Sequence, residues 1–341
     1  MQSMGVTITD VAKECGVSVA TVSRVIHKNP SISDETSKRV EKAIKKLGFV
    51  PNKRAQSFAT QRSNLIVFAT TPQSAYASPH KFEILSGLEK ILSHFSYSLI
   101  FSQIEKGDFS SVGALCDNKL VDALVIHGFD IDEKLESFIA KKKMPTVIIG
   151  RPTRPLSLSW IDNDNVVSGE VAASCLINKG RKSFLFIGGK EEDNISESRL
   201  QGLKNSMKKN GLPFGEEDII RVESEPIKAE KALKAIIDNG RIKKYDAIVA
   251  ANNYLALGAI NALNEKGIHV PSAISLITFD DYPFATFTKP KLSSVSVDMY
   301  SLGLYTARMV LNQIKNPSIV AQQYITVPLL TERSSSRYIK K

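Results

Sequence analysis

The side chains best suited to recognising another molecule lie on one side of a short helical pattern, residues 19–26. That side, read together with the residue before it, carries Ser18, Val19, Ala20, Thr21, Ser23 and Arg24. An Arg guanidinium can bond the O6 and N7 atoms of a guanine in bidentate fashion, whereas Val19 and Ala20 offer only apolar contact, for example to a thymine methyl group. The alternative is that Arg24 is an ordinary solvated helix residue.

Neighbouring patterns would hold that face in place. Thr7–Asp10 predicts a capping box that starts a first helix near Ile8, and Gly16 can end this helix in a left-handed conformation. Ser18 is suited to capping the second helix, and a third helix is expected between Ser33 and Gly48. Two helices joined by a short Gly-containing turn form a helix-turn-helix arrangement, in which the N-terminal end of the second helix enters the major groove of DNA.

The run from Thr7 to Asn52, with VSVATVSRV and LGFVPN inside it, resembles the DNA-binding headpiece of the LacI/GalR family of bacterial transcription regulators. The resemblance implies that Val19, Ala20 and Arg24 read bases. The other headpiece residues that it places near phosphates or base edges are Thr7, Ser18, Thr21, Ser23, His27, Ser31 and Asn52.

A second DNA element is expected in residues 51–63. The helical stretch Lys53–Ala59 is too short to be stable alone, since isolated helices below roughly 12 residues are marginal in water. The resemblance implies a hinge helix that orders when two subunits sit on the operator, with Ala55, Gln56 and Phe58 at the DNA. Phe58 stands where the family usually has a Leu that wedges into the minor groove, and a Phe can also act as a wedge. The alternative is that Phe58 only packs on the neighbouring hinge.

The charge distribution agrees with this placement of DNA. The chain has a net charge of +10, and residues 1–63 contain eleven Lys/Arg against five Asp/Glu, which leaves +4 for the other 278 residues. The basic excess is thus concentrated in the headpiece. Because one headpiece is too small to read a long site, we expect a homodimer on a roughly palindromic operator.

From Leu65 onward, strand-like runs alternate with helical stretches. The runs form two sets, 65–70, 97–102, 123–127 and 146–149, then 183–187, 219–222, 247–250 and 274–279. This rhythm predicts an α/β fold with parallel sheets covered by helices on both faces. Two sets indicate two similar lobes, and the resemblance implies a two-lobed body like the type I periplasmic binding proteins.

The expected organisation follows from these patterns. Residues 1–50 would form the all-α helix-turn-helix headpiece, 51–63 the hinge helix and linker, and 64–341 the effector-binding and dimerisation domain. Within this body, the first lobe is expected at about 64–162 and 292–325, and the second lobe at about 163–291 and 326–341. Residues 292–297 and 325–327 are interpreted as chain crossings near the hinge between the lobes.

Three polar residues follow strands of the second set. Arg199 lies after 184–187, Asn252 follows 248–250, and Asp280 follows 277–279. Ligands of open parallel sheets bind beyond the carboxyl ends of the strands, and these side chains can bond vicinal hydroxyls in pairs. The resemblance implies that they contact the effector, usually a sugar. The alternative is that they cap helices or form salt bridges within the lobe.

Further effector contacts are expected from Thr71 and Tyr76, after the first strand, and from Trp160. The combination IGRP with WIDNDN is similar to the maltose-operon regulators of Gram-positive bacteria, which implies maltose or a malto-oligosaccharide as effector. Two carboxylates common in the family are replaced here, by Gly150–Pro152 and by Asn253. Trp160 could stack on a sugar ring; the alternative is that it is a core residue on a strand.

Enzymatic function is not expected. Gly188–Lys190 lacks the further glycines and the Ser/Thr of a phosphate-binding loop, and the five histidines and three cysteines show no catalytic or metal-ligand spacing. We therefore expect no catalytic residue, metal or cofactor. No apolar run of 18 residues and no apolar signal region at Met1–Gly5 are present, which predicts a cytoplasmic protein without a membrane segment.

The sequence thus predicts an allosteric DNA-binding regulator, most simply a repressor of carbohydrate-utilisation genes. The effector would favour one closure of the lobes and so alter how two headpieces grip the operator. Two alternatives stay open: a cytoplasmic sugar-binding protein without gene-specific regulation, and a regulator controlled by a protein partner.

Overall fold

A computed structural model describes residues 6–26, 29–49, 62–71, 80–105, 108–128, 132–152 and 157–337. The chain divides into two compact units, Met1–Asn64 and Leu65–Lys341. None of the helices in the described ranges is long and apolar enough to cross a membrane.

The first unit contains three short helices, α1 Ile8–Cys15, α2 Val19–Ile26 and α3 Asp34–Leu47. The predicted capping box begins α1: the Thr7 backbone N–H donates to Asp10 Oδ2 at 2.9 Å, and the Asp10 N–H donates to Thr7 Oγ1 at 3.4 Å. Gly16 ends α1 with φ of 62°, a left-handed conformation that glycine adopts without steric cost. One small core is formed by apolar side chains of all three helices, among them Val11, Val22, Val25, Val40 and Ala43.

The second unit is built on two six-stranded sheets. The first sheet contains β1 Leu65–Thr70, β2 Ser98–Gln103, β3 Ala123–His127, β4 Thr146–Ile149, β5 Ser159–Asn163 and β11 Gln323–Thr326, in the order β11-β5-β4-β3-β1-β2. The second contains β6 Phe184–Gly188, β7 Ile219–Arg221, β8 Ala247–Ala250, β9 Ser275–Phe279, β10 Ser293–Ser296 and β12 Leu329–Thr331, in the order β12-β10-β9-β8-β6-β7.

All described strand pairs are parallel except β10 with β12, so the expected parallel α/β architecture is confirmed. The helices between the strands are α4 His80–Leu92, α5 Ser110–Asp117, α6 Glu133–Lys142, α7 Asn165–Ile177, α8 Asn194–Lys209, α9 Pro226–Asp238, α10 Asn253–Glu265 and α11 Met299–Lys315. We call the first sheet with α4, α5, α6 and α11 the first lobe, and the second sheet with α7 to α10 the second lobe.

The central strands β1, β3 and β4 of the first sheet are buried on both faces, as strands in the middle of a parallel sheet are, whereas the edge strands β2 and β11 are partly exposed. Ile66 and Phe68 face α4 and α11 and join Ile84, Leu88 and Leu302 in one apolar cluster. The alternate residues of the strand belong to another cluster, which includes Val67, Leu124, Val112, Leu135 and Trp160 and lies under α5 and α6.

The structure corrects the expected lobe boundary at residues 292–297. Strand β10 lies in the second sheet, where Ser293 pairs with Ile277 and Val295 with Phe279. The chain then returns to the first lobe, where α11 packs against α4. A four-residue strand carries no signal in its own residues for the sheet that it joins. The pairing with β9 decides its place.

Candidate DNA-reading helix and interlobe junction

The N-terminal end of α2 is fixed by a local cap. Ser18 Oγ accepts the Thr21 N–H at 3.0 Å, and the two hydroxyl groups lie 2.9 Å apart. Because Val22 and Val25 are buried in the headpiece core, the opposite side of α2 faces outward. Val19 is 42% exposed on that side.

Arg24 and Ala20 are exposed on the same helix face, whereas Thr21 and Ser23 are half-buried. No hydrogen bond or ion pair joins the Arg24 guanidinium to another residue of the described ranges. Its five N–H groups can therefore donate to an external acceptor such as a guanine edge.

Two other predicted DNA contacts lie on the headpiece surface. The Thr7 hydroxyl lies 2.7 Å from Asp10 Oδ2 and is engaged in the cap of α1. Ser31 is exposed, and its backbone N–H donates to Asn29 Oδ1 at 2.9 Å. The remaining predicted DNA contacts, His27, Asn52, Ala55, Gln56 and Phe58, lie outside the described residues, as does the expected hinge helix.

In the second unit, Arg199 on α8 and Asp280 at the end of β9 form a buried ion pair. Arg199 is 6% exposed, and its Nη2 donates to Asp280 Oδ1 at 2.6 Å. Its Nη1 donates to the Ala251 carbonyl oxygen at 2.6 Å, and its Nε to Asn165 Oδ1 at 3.3 Å. The guanidinium also lies 4.6 Å from the centre of the Phe279 ring. The sequence-predicted pair of effector residues is thus brought together and held in one orientation.

Asp280 stays ionised in spite of its environment. Its φ of 81° places it in the left-handed region, where the chain turns away from β9. Burial disfavours the carboxylate, but the positive charges of Arg199 and His80 outweigh this effect and lower the pKa of Asp280 to about 2. The junction therefore holds a fixed negative charge at neutral pH.

His80 brings the first lobe into contact with this pair. It is the first residue of α4, and its Nε2 lies 3.8 Å from Asp280 Oδ1, while its Nδ1 lies 3.4 Å from Glu83 Oε2. Its ring centre lies 4.8 Å from that of Tyr282. Burial alone would lower the pKa of His80, but the two carboxylates raise it to about 9. His80 is thus an imidazolium at neutral pH and joins the two lobes.

The carboxyl edge of the first sheet supplies further polar groups. Thr70 Oγ1 lies 3.3 Å from His127 Nδ1, and Thr71 Oγ1 donates to the Gly128 carbonyl oxygen at 3.1 Å. Burial, with a contribution from the Lys81 charge, lowers the pKa of His127 to about 4.

Asp162, at the end of β5, lies at the same edge. Burial raises its pKa to about 6, against the opposing effects of the Asn163 and Arg151 backbone N–H groups and of the Arg151 and Arg199 charges. The Asp162 carboxyl group of the first lobe is therefore near enough to Arg199 of the second lobe for the Arg199 charge to affect its pKa.

Asn252 serves as a helix cap in this structure. Its Oδ1 accepts the Leu255 N–H at 2.9 Å and its Nδ2 donates to Ser224 Oγ at 3.1 Å. Both ends of its amide are thus used within the second lobe, which is the alternative that the sequence left open for this position.

The expectation of an effector contact from Trp160 is corrected. Its side chain belongs to the apolar cluster under α5 and α6 and is 7% exposed. The Arg151 guanidinium lies 5.8 Å from the centre of its ring. The structure thus places Trp160 in the core, which is the alternative that the sequence left open for this residue. Tyr76, the other aromatic residue expected here, lies outside the described residues.

Sequence reasoning missed four residues of this junction, His80, Lys81, Asn165 and Asp162. His80 and Lys81 directly precede a predicted helix at 82–94, and they carry no motif. Their relation to Arg199 and Asp280 arises only when α4 is placed against the second lobe. Among the described residues, no group of three or more His, Cys, Asp or Glu side chains is placed to hold a metal ion.

Comparison with known proteins identifies a family for the headpiece and a domain type for the two-lobed body. Residues 7–52 match the family described as bacterial regulatory proteins, lacI family, and residues 173–336 match the periplasmic binding protein-like domain. Catabolite control protein A of Staphylococcus aureus strain Mu50 is 30% identical over 332 residues, which cover 93% of this chain and 96% of that protein. The chain belongs to the LacI family. It is a DNA-binding transcriptional regulator.

Other relatives are similar to this LacI-family protein over nearly its whole length. The HTH-type transcriptional regulator RegA of Clostridium saccharobutylicum is 29% identical and covers 98% of the chain and 100% of its own length. Among solved structures, a complex of the transcriptional regulator CelR with cellobiose is 25% identical, with a TM-score of 0.72, and covers 97% of this chain and 99% of its own. The Lac repressor dimer bound to operator and an anti-inducer has the same fold, with a TM-score of 0.82, 22% identity and the same coverage.

Proposed function

We propose that this LacI-family regulator represses carbohydrate-utilisation genes as a cytoplasmic homodimer on a palindromic operator, and that a sugar bound between its lobes controls operator affinity. The observation that carries the effector part is the buried contact of His80, Arg199 and Asp280, because it joins the two lobes through ionised groups. The proposal involves no catalytic step.

The DNA part rests on α2. Val19 and Ala20 lie in the first turn of α2, and Arg24 lies one turn after Ala20 on the same outward side; Val22 and Val25 on the other side are buried. In the proposed complex, Arg24 reads a guanine and the two small apolar side chains contact base edges in the major groove. Two headpieces related by a two-fold axis would read the two half-sites.

The proposal of a sugar effector rests on the chemistry of the Arg199 guanidinium and the Asp280 carboxylate. A sugar with two vicinal hydroxyl groups can accept hydrogen bonds from a guanidinium and donate to the Asp280 carboxylate. Such a ligand would replace the direct His80–Asp280 contact between the lobes by a bridged one and so favour a different separation of the lobes. The cellobiose complex of CelR supports a sugar as ligand class. Maltose and malto-oligosaccharides are further candidates, named from the sequence.

Coupling between the two sites follows from linkage. If the sugar changes operator affinity by some factor, the operator must change sugar affinity by the same factor, with a coupling typically of about 1–3 kcal/mol. An inducing sugar would bind the DNA-free dimer more tightly than the operator complex.

The test is a thermal-shift screen of the full chain against mono-, di- and trisaccharides and their phosphorylated or acidic derivatives. A ligand at about 100 times its Kd adds about 2.7 kcal/mol to the unfolding free energy. We expect one sugar to raise the Tm, to change affinity for an operator selected from random duplexes, and to lose both effects in Arg199→Gln. A screen without any hit, together with intact operator binding, would contradict the effector proposal and point to control by a protein partner.

A further inference from the structure

Lys81 is a largely buried residue whose ammonium group has no counter-ion in the described part of the chain. It is the second residue of α4 and only 8% exposed, on the same helix face as Ile84 and Leu88 of the first-lobe core. Burial lowers the pKa of its ammonium group, and no hydrogen bond or ion pair within the described ranges reaches it. The ammonium nitrogen is not one of the fully buried polar atoms without a partner, so solvent or a ligand can reach it. An external anion at this position would offset the partial desolvation of the charge.

The position of Lys81 places this charge at the interlobe junction. Its neighbour His80 lies 3.8 Å from Asp280 of the second lobe. Its charge contributes to the lowered pKa of His127, the last residue of β3, and His127 lies 3.3 Å from Thr70 at the end of β1. Lys81 therefore lies over the carboxyl edge of the first sheet, on the side that faces the second lobe.

The nearby acidic groups already have cationic partners. Asp280 is shared by Arg199 at 2.6 Å and His80 at 3.8 Å, and Glu83 lies 3.4 Å from the other ring nitrogen of His80. The positive charges of Arg151 and Arg199 favour the ionised form of Asp162 and oppose the rise in its pKa. Among the described residues, the junction thus has a surplus of positive charge, and Lys81 is its one cation without an acidic partner.

We propose that Lys81 binds an anionic group of the effector, a phosphate or a carboxylate, so that the effector is an acidic or phosphorylated sugar rather than a neutral one. This inference rests on the proposed effector site and narrows its ligand class. A Lys ammonium is a compact charge that pairs well with phosphate or carboxylate oxygens. The sugar hydroxyls would meet Arg199 and Asp280, while the anion meets Lys81 from the first lobe, so that one ligand connects both lobes.

The experiment uses the full chain and titrates matched ligands: glucose, glucose 6-phosphate, glucuronate, maltose and inorganic phosphate. The variants are Lys81→Gln, Lys81→Arg and Arg199→Gln, with Lys90→Gln as control because Lys90 is an exposed residue of the same helix. We expect an anionic sugar to bind roughly tenfold or more tightly than its neutral parent, a preference that Lys81→Gln abolishes and Lys81→Arg partly retains. Lys90→Gln should bind as the unaltered chain does. The phosphate and carboxylate ligands distinguish the two kinds of anion.

A second readout separates binding from a structural role. Lys81→Gln should raise the Tm of the ligand-free protein, because it removes an unpaired and partly desolvated charge, whereas a lysine needed for folding would lower it. The proposal is overturned if no anionic sugar outbinds its neutral parent, or if Lys81→Gln leaves that preference intact. Binding of a neutral sugar that depends on Arg199 but not on Lys81 would refute the anion site and leave the proposed effector site standing. Anion binding that needs Lys81 but not Arg199 would support the anion site and contradict the role of Arg199.

Discussion

His80 Nε2 lies 3.8 Å from Asp280 Oδ1, so one ion pair connects the first turn of α4 in the first lobe with the end of β9 in the second. Asp280 is held at the same time by Arg199 at 2.6 Å. A change in the separation of the lobes must therefore alter the first contact while it leaves the second, which lies within one lobe, intact. The His80–Asp280 pair is the part of this network that responds to lobe movement.

The protonation of His80 should make stability depend on pH. Its pKa is raised from 6.5 to about 9 on folding, so its contribution to stability is fully present below pH 6.5 and is lost as the pH rises through about 9. We expect His80→Asn to lower the unfolding free energy by ~1–3 kcal/mol near pH 6 and by much less above pH 9. Urea unfolding at several pH values measures this difference. His94→Asn, at an exposed position beyond the end of α4, is the control and should show no such trend.

Asp280 defines the acidic limit of the same network. Its pKa is lowered from 3.8 to about 2, so its contribution is present above pH 3.8 and is lost as the pH falls through about 2. We expect Arg199→Gln to cost about 3–5 kcal/mol at neutral pH, because it leaves a buried carboxylate without its main partner. Arg199→Gln combined with Asp280→Asn should cost less than the sum of the single changes. Additive costs in a double-mutant cycle would contradict the coupling.

Arg24 should determine sequence-specific binding rather than overall affinity for DNA. We expect Arg24→Ala to weaken operator binding by about 1–3 kcal/mol and to leave weak, salt-sensitive binding to random duplex nearly unchanged. Arg39→Ala removes the same charge from an exposed site on α3 and serves as the control. Titration of both duplexes at fixed salt measures the effect. Equal loss on operator and random duplex would contradict base reading by Arg24.

Gly87 permits the close contact between α4 and α11. A Cβ atom at position 87 would lie 2.1 Å from the Tyr300 carbonyl oxygen, whereas a Cβ at Gly113 on α5 would meet nothing closer than 3.5 Å. We expect Gly87→Ala to destabilise the protein by about 1–3 kcal/mol through overpacking. Gly113→Ala should be neutral or stabilising by up to about 1 kcal/mol, because Ala favours a helix interior. Urea denaturation compares the two, and equal effects would refute the close contact as the cause.

The sequence alone determined the features that depend on local chemistry. Thr7, Asp10 and Gly16 predicted the limits of α1, and the apolar periodicity of Val22 and Val25 predicted which side of α2 is exposed. Runs of Val and Ile separated by helical stretches predicted parallel sheets, because strands buried on both faces need apolar residues throughout. The positions of Arg199 and Asp280 after strands led to the prediction that both contact the effector; their direct ion pair agrees with the alternative of a salt bridge within the lobe.

Only the tertiary structure decided the features that depend on which elements meet. Strand β10 joined the second sheet through its pairing with β9, and Trp160 became a core residue through the packing of α5 and α6. Likewise, His80 and Lys81 carry no motif. Their chemistry depends on where α4 places them. His80 lies beside Asp280 of the second lobe, and Lys81 lies in a largely buried position without a counter-ion among the described residues. Charge and burial act through distances between residues far apart in sequence, and local patterns do not contain those distances.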